Sequence, residues 1–503
     1  MSDSIRIVLD TGSLDDYDRF LKVKGLPKFR FSGRTAIVPA EYADRLGLSA
    51  NTDPTADYDP LPGLFDYQEA LARHVIRKGK FCLFADCGLG KTLIYTEAIR
   101  HWRKVLPAHK HILIVSPLMV IPQTIAEVER FYGDSLRLEQ VHAAELAERL
   151  RSRDGGILIT NYDAMRDDTP QGNLGALILD ESSMLKSHYG KWGSVCLRLG
   201  RGLRYKLAGS GTPAPNDRIE YANHAVFMDA FPTVNAFLAR YFVNRGQTNE
   251  RWELKPHALR PFYRSLSHWC IFLTNPSTYG WHDNSESIPP INIHIHDVAI
   301  TPVQRDLVYE ATGTLFADQI GGITNRSVLS QIAKGSHKGK RIDTHKPQAI
   351  LDLLAQWPDE STIIWCKYNA EQERLAEVLP HAHSIAGATT YDDRIRMIDD
   401  FKAGRVRVMI SKPKILGFGL NLQIATRQIF SGLQDSYEEF YQAVKRSNRY
   451  GSTKPLNVHI PITDIERPMI DTVLRKAKMV QRDTEEQERI FKEALGDLSS
   501  KSL

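Results

Sequence analysis

The chain has little cysteine. Its five residues, Cys82, Cys87, Cys196, Cys270 and Cys366, are scattered over 503 positions with no C-x-x-C pair. That scatter argues against a disulfide framework and a cysteine-built zinc site, and it fits free thiols in a reducing compartment. Long apolar runs are missing too. None approaches the roughly 20 residues that a membrane helix needs, and Met1-Ser2-Asp3-Ser4 lacks a signal-peptide pattern. An intracellular, cytoplasmic protein without a membrane partner is expected. Bulk charge is also scarce: 65 Lys and Arg against 60 Asp and Glu leave +5. Any nucleic-acid surface must therefore come from local basic patches. The histidine pairs His294/His296 and His381/His383 alternate as metal ligands do, but no carboxylate or cysteine stands in clear register with them.

What is present is a stretch around which the rest is organised: Phe81-Cys82-Leu83-Phe84-Ala85-Asp86-Cys87-Gly88-Leu89-Gly90-Lys91-Thr92. An apolar strand breaks into a glycine loop and re-emerges as a helix. The pattern is one glycine short of the full phosphate-loop signature, because Ala85 stands where glycine is usual. Gly88 and Gly90, flanking Leu89, allow backbone N–H groups to turn inward around a triphosphate. Lys91 then supplies charge to the β- and γ-phosphates of ATP, and the Thr92 hydroxyl coordinates the accompanying Mg2+. The plain alternative is a glycine turn followed by a surface lysine.

Length suggests about three domain-sized units. Residues 1–48 form a small α+β accessory unit with a hairpin around Ser32-Gly33-Arg34. Its first arm alternates Lys28 and Arg30 with Phe29 and Phe31, which admits two readings. The phenylalanines build a small core and the basic residues are solvated, or the unit makes an accessory nucleic-acid contact. Residues 49–60 are polar and proline-punctuated, as linkers are. From 61 to 290 strands alternate with helices, the hallmark of an α/β parallel sheet covered on both faces. The strand candidates are 81–84, 112–115, 157–160, 176–179 and 205–208, and the aromatic-rich stretch at about 217–290 reads as a helical insertion ending in a connector at 284–290. A second series covers 291–474, with strand candidates at 291–298, 362–365, 383–385, 406–410, 428–430 and 456–460. Residues 475–503 read as a charged helix that packs on the second lobe or recruits another protein.

In such sheets ligands sit at the carboxyl ends of strands. Asp180-Glu181 follows an apolar strand there; one carboxylate suits the hydrated magnesium and the other suits orienting or deprotonating an attacking water, the plain alternative being an acidic helix cap. The second lobe has no phosphate loop of its own and is expected to complete the ATP site. Gln442, Arg446 and Arg449, spaced i, i+4, i+7, are placed on one helix face, with the two guanidiniums either in an arginine-finger role or part of a solvated basic face. The loop Gly417-Phe418-Gly419-Leu420-Asn421-Leu422-Gln423 suits closure on phosphates or on a nucleic-acid backbone. The basic loop at 334–341, with Lys338 and Lys340, is either a phosphate contact or a solvated turn.

Taken in order, these motifs resemble the superfamily-two helicases over about 61–465, and specifically the Swi/Snf-type branch of double-stranded DNA translocases. Tyr67-Gln68 looks like the adenine-sensing glutamine, and Asp86 to Thr92 like the branch's phosphate loop. Ser116-Pro117 and Thr160-Asn161-Tyr162 resemble motifs Ia and Ib, and Asp180-Glu181-Ser182-Ser183 with Lys186 resembles motif II. Gly211-Thr212-Pro213-Ala214-Pro215-Asn216 and Ile364-Trp365-Cys366 are similar to motifs III and IV. The loop at 417–423 and the Gln442/Arg446/Arg449 segment resemble motifs V and VI. The resemblance implies two RecA-like lobes and an ATPase stimulated by nucleic acid. It also implies contacts to sequence-tolerant duplex DNA through Pro117, Asn161, Thr212 and Asn421. Thr124, where many members have tryptophan, and Ser452, where glutamine is common, are departures that keep DNA-contact details from being carried over. The short insertion looks like a bacterial or bacteriophage member. Duplex translocation is the expected activity, with a strand-separating or fork-remodelling helicase and a nucleotide-gated binding module as alternatives. A protein partner would use the N-terminal unit or the C-terminal helix.

Overall fold

The computed structural model describes residues 4–10, 12–43, 46–48, 53–185, 190–214, 217–246, 252–282, 288–312, 323–416, 420–432 and 437–495. Lys186, Pro215, Asn216, Gly417, Phe418 and Gly419, together with parts of the 49–60 linker and the 284–290 connector, lie outside the described residues. The chain divides into two compact units, Met1–Asp283 with Thr484–Leu503, and Asn284–Asp483.

The first unit opens with β1 (Ser4–Val8), α1 (Leu14–Gly25), β2 (Arg30–Ser32) and β3 (Thr35–Pro39). The strands form an antiparallel sheet in the order β1-β3-β2. Ser13 caps α1 by accepting from the Asp16 amide, and Asp15 and Asp16 in its first turn complement Lys22 and Lys24 in its last. Ile7, Ala36 and Val38 are buried against Val23 of this helix. Phe31 joins them, 5.2 Å from Phe20, whereas Phe29 is 36% exposed.

The main sheet follows: β4 (Lys80–Ala85), β5 (His111–Ser116), β6 (Glu139–Gln140), β7 (Gly156–Asn161), β8 (Leu174–Asp180) and β9 (Tyr205–Gly209). A two-stranded hairpin, β10 (Phe242–Asn244) and β11 (Trp252–Leu254), precedes β12 (Cys270–Leu273). Seven strands are ordered β12-β4-β9-β8-β5-β7-β6, all parallel. β8 is buried at every position, as expected of a parallel strand with both faces covered. Each such Leu or Ile contributes roughly 1.5–3 kcal/mol of burial. The stretch 217–290 is thus more than a helical insertion, because β12 inside it pairs with the phosphate-loop strand. Four residues, Cys-Ile-Phe-Leu, are too few to stand out from the aromatic helix periodicity around them.

The second unit holds β13 (Ile291–Asp297), the hairpin β14 (Ser336–His337) and β15 (Lys340–Arg341), then β16 (Thr362–Trp365), β17 (His383–Ser384), β18 (Val408–Ser411), β19 (Arg427–Phe430) and β20 (Leu456–Ile462). Its sheet is ordered β13-β20-β19-β16-β18-β17, again all parallel. The expected α/β architecture of two parallel-sheet lobes is therefore the one the chain adopts. The histidines of β13 pack on β20: His296 Nε2 lies 2.9 Å from His459 Nδ1, and His294 stacks on the same ring. His383 has a carboxylate beside it after all, with Asp400 Oδ2 at 3.2 Å.

One helix, Arg467–Leu495, closes the described chain and begins earlier than residue 475. Met469, Ile470 and Val473 are buried in the second unit's share of it. Its last turns belong instead to the first unit. There Ile490 joins the large core, and Glu488 accepts from the Thr274 amide at 2.8 Å. Among the described residues no helix is long and apolar enough to cross a membrane.

Candidate nucleotide site

After β4 the chain leaves the sheet through two left-handed glycines, Gly88 at φ +92° and Gly90 at φ +67°. Gly90 immediately precedes α3 (Lys91–Val105), whose N-terminal amides and dipole face whatever the loop holds. A Cβ at Gly90 would stand 2.2 Å from Gln68 Nε2, so the left-handed φ favours glycine and a larger residue must displace the Gln68 amide. Lys91 is folded over its own loop, its Nζ donating to Ala85 O at 2.8 Å and Asp86 O at 3.2 Å. The preceding helix, α2 (Asp66–Lys78), braces the loop from the side. Tyr67 Oη and Gln68 Nε2 both donate to the Leu89 carbonyl, at 3.2 and 3.4 Å, while Gln68 Oε1 accepts from the Phe65 amide.

Asp180 and Glu181 emerge from β8, two strand positions from β4, with β9 between them. Neighbouring strands lie about 4.8 Å apart, so the carboxylates and the phosphate loop share one edge of the sheet. Asp180 Oδ2 accepts from Ser116 Oγ at 2.9 Å, and the Asp180 carbonyl accepts from Tyr162 Oη at 2.7 Å. Burial first, and then the neighbouring Glu181, push the Asp180 carboxyl up to about 6, against the opposing pulls of Ser116 and Lys91. A buried carboxylate so weakly compensated suits a cation, and Thr92, expected as a second oxygen ligand, lies in the first turn of α3. Glu181 itself sits at φ +49°, a conformation that costs a non-glycine residue about 1–3 kcal/mol and recurs at functional sites.

The turn behind these carboxylates is held by residues for which the sequence offered no motif. His224 Nε2 lies 3.0 Å from Ser182 Oγ, and Asn223 Nδ2 donates to Leu185 O at 2.7 Å. Both belong to the helix Tyr221–Phe227, and burial pushes the His224 ring down to about 4, keeping it neutral. Glu97 of α3 is a second hub. Its carboxylate accepts from Tyr58 Oη, Tyr132 Oη, the Leu61 amide and Arg100, tying the linker end to α3. Burial would raise this carboxyl, but the bonds from Arg100, Tyr58, Leu61 and Tyr132 together hold it below its usual range. Only the partner positions, tens of residues apart in sequence, reveal such a hub.

The remaining expected residues of the first unit lie along the same sheet edge. Pro117 follows β5, Asn161 ends β7 in register with Ser116, and Thr212 follows β9 with its amide donating to Ser210 Oγ at 3.1 Å. Thr124 is buried at 2% exposure and is a packing residue.

In the second unit the expected helix face is not formed. The helix Tyr437–Val444 stops short of both arginines, and the chain continues in tighter turns, Arg446 N donating to Ala443 O at 3.2 Å and Ser447 N to Val444 O at 3.2 Å. The turns are fixed by β19, whose Gln428 Nε2 donates to Ala443 O and to Ser447 Oγ, at 2.9 and 2.8 Å. Gln442 and Arg446 are buried, while Arg449 is half-buried with its Nε donating to Lys445 O at 3.0 Å. This turn is pinned to the described end of the glycine loop: Leu422 N donates to Arg446 O at 2.9 Å and Gln423 Nε2 to Tyr450 O at 2.5 Å. Asn421 caps that end, its Oδ1 accepting from the Gln423 amide. The basic loop is less free than its composition suggests. Lys334 is buried on Glu466, Arg341 pairs with Glu377, and Lys338 lies 3.6 Å from Glu310, leaving Lys340 exposed on β15.

Comparison with known proteins agrees with this layout. The SNF2-related domain matches residues 67–356 and the helicase conserved C-terminal domain matches 345–451. Protein p41 of Acyrthosiphon pisum secondary endosymbiont phage 1 is 22% identical over 432 residues, covering 78% of this chain and 91% of its own. The Drosophila melanogaster SWI/SNF-related matrix-associated actin-dependent regulator of chromatin subfamily A-like protein 1 is 21% identical over 88% of this chain, which spans 57% of that protein's length. Bovine DNA annealing helicase and endonuclease ZRANB3 is 21% identical over 83% of the chain and is covered for 40% of its length. The solved Sulfolobus solfataricus SWI2/SNF2 ATPase core in complex with dsDNA aligns at 20% identity and a TM-score of 0.40, covering 88% of this chain and 96% of that one. Because the SNF2-related domain alone occupies more than half of its length, the chain belongs to the SNF2-related, helicase-type family of ATP-hydrolysing enzymes.

Proposed function

We propose that this protein is a DNA-stimulated ATPase that moves along duplex DNA. The observation carrying the proposal is the convergence of the Lys91 loop, Asp180 with its Ser116 partner, and the strained Glu181 on one sheet edge. Lys91 has two loop carbonyls to leave for a phosphate, Gln68 stands beside the loop where an adenine is read, and Glu181 is placed to orient an attacking water. Magnesium, when bound, neutralises phosphate charge; Thr92 and Asp180 are the residues that would hold it. From the second unit, Arg446 and Arg449 supply guanidiniums for the charge that grows on the transferred phosphoryl group, with Gln442 beside them. Opening and closing of this arrangement during turnover drives stepping along the backbone. Pro117, Asn161, Thr212 and Asn421, with Lys338 and Lys340 as secondary candidates, are the proposed contacts to that backbone.

DNA as the track is supported by the names of the relatives, a chromatin-regulator-like protein and a DNA annealing helicase. The word helicase in the second name also favours the alternative, a strand-separating or fork-remodelling activity. Steady-state ATPase rates titrated with duplex, single-stranded and branched DNA at two salt concentrations test the proposal, with triplex displacement as the readout of movement. Stimulation by duplex with displacement supports translocation, and stimulation confined to branched DNA supports the alternative. A rate that no DNA changes removes the motor assignment.

A further inference from the structure

The three-stranded sheet of the N-terminal unit has one face covered by α1 and one face open. The strand register fixes which residues share the open face. Arg6 and Arg30 both pair with Ile37, from opposite sides, and one row along Val8 and Ser32 both pair with Thr35. Paired residues of antiparallel strands point to the same face, so two arginines stand in a single row across the sheet. Their Cα atoms are two strand spacings apart, about 10 Å, and Arg34 stands in the hairpin turn at the sheet's end. All three arginines are exposed. Among the described residues none of their guanidiniums has a hydrogen bond or an ion pair. Asp15, Asp16 and Asp18 lie on α1, across the sheet, where Arg19, Lys22 and Lys24 of the same helix balance them and Asp16 is taken by Arg19 at 2.6 Å.

We infer that this open face is a DNA-backbone contact outside the two motor lobes. The face offers guanidiniums and the hydroxyls of Ser32 and Thr35, the side-chain types that meet phosphates. It carries no aromatic ring for stacking and no carboxylate to repel the chain. The unit is fastened to the first lobe through Tyr42, its Oη lying 2.7 Å from His268 Nδ1 and its ring 5.5 Å from Lys78 Nζ, so DNA held here is held relative to that lobe. The inference rests on the reading of DNA as the track, but concerns binding rather than turnover.

The test compares the full-length chain with the variant Arg6→Gln/Arg30→Gln/Arg34→Gln, measuring affinity for a blunt duplex without nucleotide across a salt series. Each lost phosphate contact lowers the salt slope by about 0.9, so three lost contacts shrink the loss of affinity between about 50 and 200 mM salt by roughly 40-fold. The corresponding Arg→Lys variant is expected to keep most of the slope, and DNA-free ATPase is expected to be unchanged in both. Equal slope and affinity in the Gln variant and the wild type overturn the inference, as does a Lys variant that loses as much as the Gln variant. If the wild-type ATPase ignores DNA while the slope difference persists, the translocase reading fails and this one stands.

Discussion

Replacing Glu466 by Gln should loosen the second unit by about 3 kcal/mol, the value of a buried charge set losing its centre. Glu466 lies between two buried ammonium groups, Lys334 Nζ at 2.8 Å from Oε1 and Lys346 Nζ at 2.5 Å from Oε2. Burial alone would raise its carboxyl; the charges of Lys334 and Lys346 overturn that and bring it down to about 2. Against an unfolded value near 4.5, that depression is worth about 3 kcal/mol at neutral pH. Because the folded pKa is depressed, this stability is fully present above about pH 4.5 and is lost as pH falls toward 2. Lys346 also donates to Ser431 O at 2.6 Å, so the cluster fixes the chain where it leaves β19. Hydrogen exchange of peptides from β16, β18 and β19 reads the effect unit by unit, and about 3 kcal/mol corresponds to exchange roughly a hundredfold faster. Wild type and variant should converge at low pH. Replacing all three members with apolar residues, Lys334→Met/Lys346→Met/Glu466→Leu, should restore most of the protection, since no uncompensated charge then remains. Less than about fivefold faster exchange in Glu466→Gln at neutral pH would refute the reasoning, because a removed charge partner cannot be that cheap in a dry site.

Gly90→Ala should lower turnover by at least about a hundredfold, since it meets both a φ that side chains rarely adopt and Gln68; a rate within tenfold of wild type would show that the loop relaxes freely. Lys91→Ala should abolish ATPase, whereas Glu181→Gln should retain ATP in an equilibrium binding assay yet turn it over slowly; normal turnover in either denies the roles given to them. His224→Ala should lower stability by about 1–3 kcal/mol through the lost Ser182 partner. With the folded His224 pKa depressed to about 4, its contribution is present above about pH 6.5 and is lost as pH falls through 4, so thermal melts of the two proteins should approach one another in acid. Glu97→Ala should release Tyr58, Tyr132 and Leu61 together, lowering first-unit stability by about 3 kcal/mol in denaturant melts; an unchanged midpoint would mean that the hub is decorative.

Much of the nucleotide site was legible because its signals are local. A glycine loop must be written in consecutive residues, since the backbone itself wraps the phosphates, and a carboxylate pair at a strand end needs only that strand to announce it. Apolar strands buried on both faces likewise declare themselves in single short runs, which is why most strands of both sheets, though not β6 or β12, could be read in advance. The helix face assigned to Gln442, Arg446 and Arg449 failed for the complementary reason. Spacing assumes that a helix continues, yet Gln428, on a strand 15 residues earlier, takes the Ala443 carbonyl and tightens the turn instead.

Residue types, their order and the phosphate loop were thus determined by the sequence itself, because backbone geometry and burial act over a few neighbouring positions. Tertiary structure alone decided that β12 flanks the phosphate-loop strand, that His224 steadies the turn behind Glu181, and that Lys334 is spent on Glu466 rather than offered to solvent. It alone set Arg6 beside Arg30 across Ile37. Each of these depends on a partner tens to hundreds of residues away. A side chain's charge or hydrogen bond acquires its meaning only when the fold brings that partner within a few ångströms.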